Sequence, residues 1–224
     1  MKAVLFDLDG TLTNTLTDIA NAMNRALRLH GLAEYPVDAY RYLVGDGAKK
    51  LAERAVGDQQ ALRAAVQADY QAYYEIHNQE TTRPYDGVPE MLDGLARLGY
   101  RLCVLSNKPH ADTVNVVRHY FPEVDFAVVR GQMEGVPVKP DPAGALAVAA
   151  EMRIAPAEFF YLGDTSVDMT CARRTGMRPV GVLWGFREEK ELREAGAEWV
   201  IARPEEMLAI ARSGEAPVKQ IPCF

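Results

Sequence analysis

An α/β fold, with a parallel sheet under covering helices and a helical block inserted behind the first strand, is what this sequence predicts. Three observations carry that reading. The chain opens on a short apolar run, Ala3 to Phe6, that breaks at once into Asp7, Asp9, Gly10 and Thr11. From Asp18 to about Arg83, apolar residues recur at helical spacing with no strand-like run among them. Beyond Pro84, short β-rich runs alternate with amphipathic segments, the pattern of parallel strands joined through helices.

The run Ala3 to Phe6 suits a strand buried on both faces and closed by a glycine turn. Side chains alternate along an extended chain, so Asp7 and Asp9 are expected on one side, where both can meet one metal or one phosphate. In the helical block, Ile19, Ala22, Met23, Ala26 and Leu27 form one stripe; Leu62, Ala65, Val66, Tyr70, Tyr73 and His77 form another. Between them lie Tyr40, Leu43 and Val44, then Leu51, Ala52, Ala55 and Val56, separated by the turn Gly45-Asp46-Gly47. Later strands are expected at Arg101 to Leu105, Phe126 to Val129, Phe159 to Leu162, Val180 to Leu183 and Trp199 to Ile201. Residues 1–14 and 84–212 then make a Rossmann-like core, 15–83 a small α-helical cap, and 213–224 an extended tail. A cap hung from the end of the first strand stands above Asp7 and Asp9 as a lid.

With 224 residues, 48% of them hydrophobic, the chain can bury a large core and carry a small insert. It has no run of about eighteen apolar residues, and Met1-Lys2-Ala3 leads straight into a strand, so a cytoplasmic location is expected without membrane insertion. Cys103, Cys171 and Cys223 are odd in number, widely spaced and without a Cys-x-x-Cys pair, which reads as reduced thiols. The net charge of −6 argues against nucleic acid as a partner. A small molecule is the expected partner, and a monomer or homodimer the expected assembly.

In an open parallel sheet, ligands gather outside the carboxyl ends of the strands. Ser106, Asn107 and Lys108 follow the run ending at Leu105, and offer a hydroxyl and turn amides suited to phosphate oxygens. Gly163, Asp164, Thr165, Ser166 and Asp168 follow the run ending at Leu162. Between them, Lys139-Pro140-Asp141-Pro142 sets a cation in a proline-bounded segment. Singly, each has a plain explanation as a helix cap or a solvated lysine. Four such groups, in this order and at strand ends, argue for one site.

The set Asp7-Leu8-Asp9-Gly10-Thr11, Ser106, Lys139-Pro140 and Gly163-Asp164 through Asp168 resembles the haloacid dehalogenase superfamily of phosphohydrolases. Resemblance runs from Lys2 to about Leu208 and is strongest to the phosphoglycolate phosphatase branch, through Gly176 to Val180, Val182 to Phe186 and Ala195-Gly196-Ala197. It implies Asp7 as a nucleophile that takes the phosphoryl group, and Asp9 as general acid and base. It further implies Mg²⁺ held by Asp7, Asp164 and the backbone carbonyl of Asp9, with Asp168 as the weaker metal candidate. Ser106 and Lys139 then stabilise the transferring phosphoryl oxygens.

Phosphoglycolate is the expected substrate among small phosphate monoesters. Thr11 and Asn107 are expected to touch it, and Gly45, Lys49 and Lys50, in a cap that also offers Gly47 and Arg54, are expected to meet its carboxylate. Alternatives are a phosphomutase of the β-phosphoglucomutase type, a phosphatase for another small phosphate or pyrophosphate, and a non-catalytic sensor of a phosphorylated metabolite.

Overall fold

The computed structural model describes residues 2–213. The tail expected at 213–224 lies outside them from residue 214 onward, and Ser213 closes the last described helix.

Strand β1 (Ala3–Phe6) leads through a tight turn to the two-residue β2 (Thr13–Asn14). Four helices follow: α1 (Leu16–Leu29), α2 (Tyr40–Leu43), α3 (Ala48–Ala55) and α4 (Arg63–His77). The two-residue β3 (Arg83–Pro84) then returns and pairs antiparallel with β2. Beyond it run α5 (Val88–Arg97), β4 (Arg101–Pro109), α6 (His110–Tyr120), β5 (Phe126–Gln132) and α7 (Ala143–Met152). The chain continues with β6 (Phe159–Gly163), α8 (Ser166–Thr175), β7 (Arg178–Val182), α9 (Glu189–Glu194), β8 (Trp199–Ile201) and α10 (Glu206–Ser213).

Six strands form one sheet in the order β5-β4-β1-β6-β7-β8, every pairing parallel. β1 lies inside it, with Ala3 opposite Arg101 on one side and Phe159 on the other. That position explains its composition, since alternate residues enter two separate apolar layers. Val4 and Phe6 join Leu102, Val104, Phe160 and Leu162 under α5, α6 and α10. Ala3 and Leu5 join Cys103, Leu105, Phe159 and Tyr161 under α7 and α8.

The insert has its own apolar centre, and Ile19, Ala22, Met23, Ala26 and Leu27 are all buried in it. The stripe on α4 follows the expected one at Val66 and Tyr70, with Leu62 and Tyr73 packed against the same centre, and adds Tyr74. Val66, Tyr70 and Tyr74 are buried, each four residues after the last, whereas Ala65 is exposed and Tyr73 only partly covered. Phe186, from beyond β7, completes this centre and joins the insert to the sheet domain.

The short β2–β3 ribbon, which periodicity did not reveal, sets the two ends of the insert side by side. Asp18, in the first turn of α1, locks them together. Its carboxylate is buried and accepts from the backbone N–H and hydroxyl of both Thr81 and Thr82, at 2.6–3.1 Å. β4 extends past Leu105, where its expected span ends, and shifts register against β5 between Leu105 and Pro109. Such an irregularity re-aims side chains at a strand end, and here it carries Ser106, Asn107 and Lys108.

Candidate active site

Beyond β1 the backbone turns sharply: the N–H groups of Thr11, Leu12 and Thr13 all donate to the carbonyl of Leu8. Asp9 therefore stands in a turn, and strand alternation does not apply to it. Both carboxylates still line one cavity between the sheet and the insert, with Ser106, Asn107, Lys108 and Gly45.

Asp7 is the most constrained of these groups. Its Oδ1 accepts from the Leu8 N–H at 2.7 Å and lies 2.8 Å from Lys139 Nζ. Both donors converge on one oxygen, leaving Oδ2 unengaged by them. Lys139 Nζ also reaches Asp168 Oδ1 at 2.7 Å, while Asp168 Oδ2 accepts from the Thr165 N–H and hydroxyl in a capping box on α8. Asp168, with both oxygens so engaged, orients the lysine. Burial and the Asp168 charge push the Asp7 carboxyl up to about 7 against the pull of Lys139.

Asp164 is fully buried. Oδ1 accepts from the Thr11 hydroxyl at 3.1 Å and Oδ2 from the Phe186 N–H at 2.8 Å. Thr11, expected at the substrate, thus spends its hydroxyl on orienting this carboxylate. Gly10 and Gly185 press on Asp164 so closely that a Cβ at either would collide with it, and Gly10 also has a φ of 87°. Burial, then Asp168 and Asp7, raise the Asp164 carboxyl well above the ordinary range. Asp7, Asp164 and Asp168 each offer an oxygen within 4.8 Å of the others. An all-oxygen set with this excess of buried negative charge, partly balanced by Lys139, fits a hard divalent cation. Asp7 and Asp164 are the groups that would hold it, with Asp168 as the third acid of the cluster. The Asp9 carboxylate lies outside that cluster among the described residues.

Asp9 faces Lys108 instead, with Nζ 3.0 Å from Oδ2 and 3.2 Å from Oδ1. The same ammonium donates to the Tyr74 hydroxyl of α4 at 2.8 Å. Burial works against the Lys108 charge, but Asp9 above all outweighs it and holds the ammonium above its ordinary value. Neither partner was recognised in the sequence: Lys108 reads as a turn residue, and Tyr74 falls outside the expected stripe. Ser106 Oγ accepts from the Lys108 N–H at 3.2 Å and lines the cavity.

Asn107 also differs from expectation, because its amide is taken up internally. Oδ1 accepts from the Lys139 N–H at 2.8 Å, and Nδ2 donates to the carbonyls of Lys139 and Gly45 at 3.1 and 3.0 Å. Gly45 lines the cavity, but Lys49 and Lys50 do not, both being exposed on α3 with Lys50 paired to Glu53. The first turn of α3 points them to solvent, so neither reaches the site. Cys103 and Cys171 are free, buried thiols pushed up to about 12 and about 11, chiefly by burial.

A strand-end carboxylate beside a buried lysine, two further fully buried acids and a helical cover define a class. Residues 4–182 match the haloacid dehalogenase-like hydrolases, and the chain belongs to that family. It is 33% identical over 209 residues to the phosphoglycolate phosphatase of Nitrosospira multiformis, covering 90% of this chain and 91% of the other. The phosphoglycolate phosphatase of Aquifex aeolicus is 27% identical over 210 residues, covering 94% and 96%. A crystal structure of a predicted phosphoglycolate phosphatase from Haemophilus somnus matches with a TM-score of 0.87 at 26% identity, covering 94% and 97%. No helix among the described residues is long and apolar enough to cross a membrane.

Proposed function

We propose that this hydrolase is a Mg²⁺-dependent phosphatase acting on a small phosphate monoester, phosphoglycolate, through a phosphoryl group carried on Asp7. The observation that supports it most is the buried Asp7 carboxylate, held on one oxygen by Lys139 and Leu8 and lining a covered cavity with Asp9.

Asp7 attacks phosphorus through the oxygen its two donors leave free, and the ester oxygen departs with a proton from Asp9. Asp9 then takes a proton from the water that cleaves the aspartyl phosphate. Lys139 and the Ser106 hydroxyl offset charge on the phosphoryl oxygens. Asp7 and Asp164 would hold Mg²⁺, which would supply charge neutralisation for the approach of an anionic carboxylate to an anionic ester. The insert covers the cavity and excludes bulk water, and Asn107 ties its Gly45 loop to the Lys139 backbone.

Release of inorganic phosphate from phosphoglycolate, with and without Mg²⁺, tests the reading. Turnover that requires the metal supports it. Absence of turnover over a panel of phosphate monoesters removes it.

A further inference from the structure

Phosphoglycolate carries a carboxylate beside the bond to be cleaved, and a carboxylate entering a covered cavity needs a donor or a cation there. Lys49 and Lys50 do not line the cavity, and Arg54 is engaged by Asp46 and the Leu43 carbonyl. Lys139 is committed to Asp7 and Asp168. Among the described residues lining the cavity, Lys108 is the one cation, against the acids Asp7, Asp9 and Asp112.

Its geometry suits the task. Nζ spans both oxygens of Asp9, so one hydrogen can turn to a new acceptor while another keeps the Asp9 contact. Tyr74 accepts from the ammonium, which leaves its own hydroxyl hydrogen to donate. The Tyr74 ring is buried and stacked on Tyr70, with centroids 5.4 Å apart and planes at 19°, so the hydroxyl is fixed in place. Asp9 is the proposed proton donor to the departing oxygen, and Lys108 adjoins it.

We infer that Lys108 and the Tyr74 hydroxyl together form the receptor for a carboxylate on the leaving group. This inference rests on the phosphatase reading and adds the residues that set its specificity. Asp112, which also lines the cavity, disfavours a second negative charge there.

The test compares phosphoglycolate with 2-hydroxyethyl phosphate, in which a neutral hydroxymethyl group replaces the carboxylate, using the full chain with Mg²⁺. The ratio of their kcat/KM values cancels any effect common to both esters. Wild type should favour phosphoglycolate, and K108M should lower the ratio by about 10- to 100-fold. Y74F should lower it in the same direction by less, and its near-constant volume keeps the test available if K108M does not fold. An unchanged ratio in folded variants, or a wild-type preference for the neutral ester, overturns the inference while phosphatase activity stands. Turnover of neither ester nor any other monoester by wild type removes both readings together.

Discussion

The main chain of Lys139 is held on both sides by the side chain of Asn107. The lysine N–H donates to Oδ1 at 2.8 Å, and its carbonyl accepts from Nδ2 at 3.1 Å. Because the same amide donates to Gly45 of the insert, the lysine that steadies Asp7 and the loop that covers it share one support.

Asn107→Ala leaves two buried main-chain groups of Lys139 unpaired, which should cost about 2 kcal/mol of stability. The lysine is then less well aimed, and kcat should fall by about 10-fold or more. Urea unfolding and steady-state kinetics check the two effects. Wild-type kcat in a folded Asn107→Ala protein would show that Lys139 needs no such support.

The metal-free site should respond to pH with a defined sign. Burial and Asp168 push the Asp7 carboxyl up to about 7, so the folded protein keeps a proton there that the unfolded chain has lost. Between about pH 4 and about pH 7 the unfolded state binds fewer protons, and stability in EDTA should fall as pH rises. Asp164, raised by burial and by the same neighbours, contributes in the same direction. A divalent cation favours the ionised carboxylates, so the increase in Tm on adding Mg²⁺ should be larger at about pH 8 than at about pH 5. Equal increments would contradict this.

Asp18→Ala should destabilise the fold by about 2–3 kcal/mol, because it strands the N–H and hydroxyl groups of Thr81 and Thr82 where the insert begins and ends. Thermal unfolding measures this. A change in Tm no larger than that of an exposed substitution would rule out the clamp.

Lys49→Ala and Lys50→Ala should leave the KM for acidic esters within about twofold of wild type, as expected of exposed substitutions away from a site. A clear rise in KM would return these lysines to the substrate.

The parts of this molecule legible in its sequence are those governed by local periodicity. Ala3 to Phe6 had to be apolar on both faces because helices cover both faces of the sheet at β1, and the functional groups sit at strand ends. On α4 the sequence shows Val66 and Tyr70 but not Tyr74, because tyrosines at both 73 and 74 fit a helical repeat and only the tertiary packing buries Tyr74 more deeply than Tyr73. Thr11 and Asn107 looked free to bind substrate, but partners distant in the chain, Asp164 and Lys139, take up their polar atoms. Lys108 was hidden for a similar reason, since the irregular end of β4 turns its ammonium toward Asp9.

Replacing Asp7 by Asn keeps the shape of the side chain and removes the attacking carboxylate. The most direct test is phosphate release by purified Asp7→Asn whose thermal unfolding shows it to be folded. Release at the background rate, under conditions where wild type turns over with Mg²⁺, is the result expected. Substantial release by the folded variant would contradict the role of Asp7 as nucleophile.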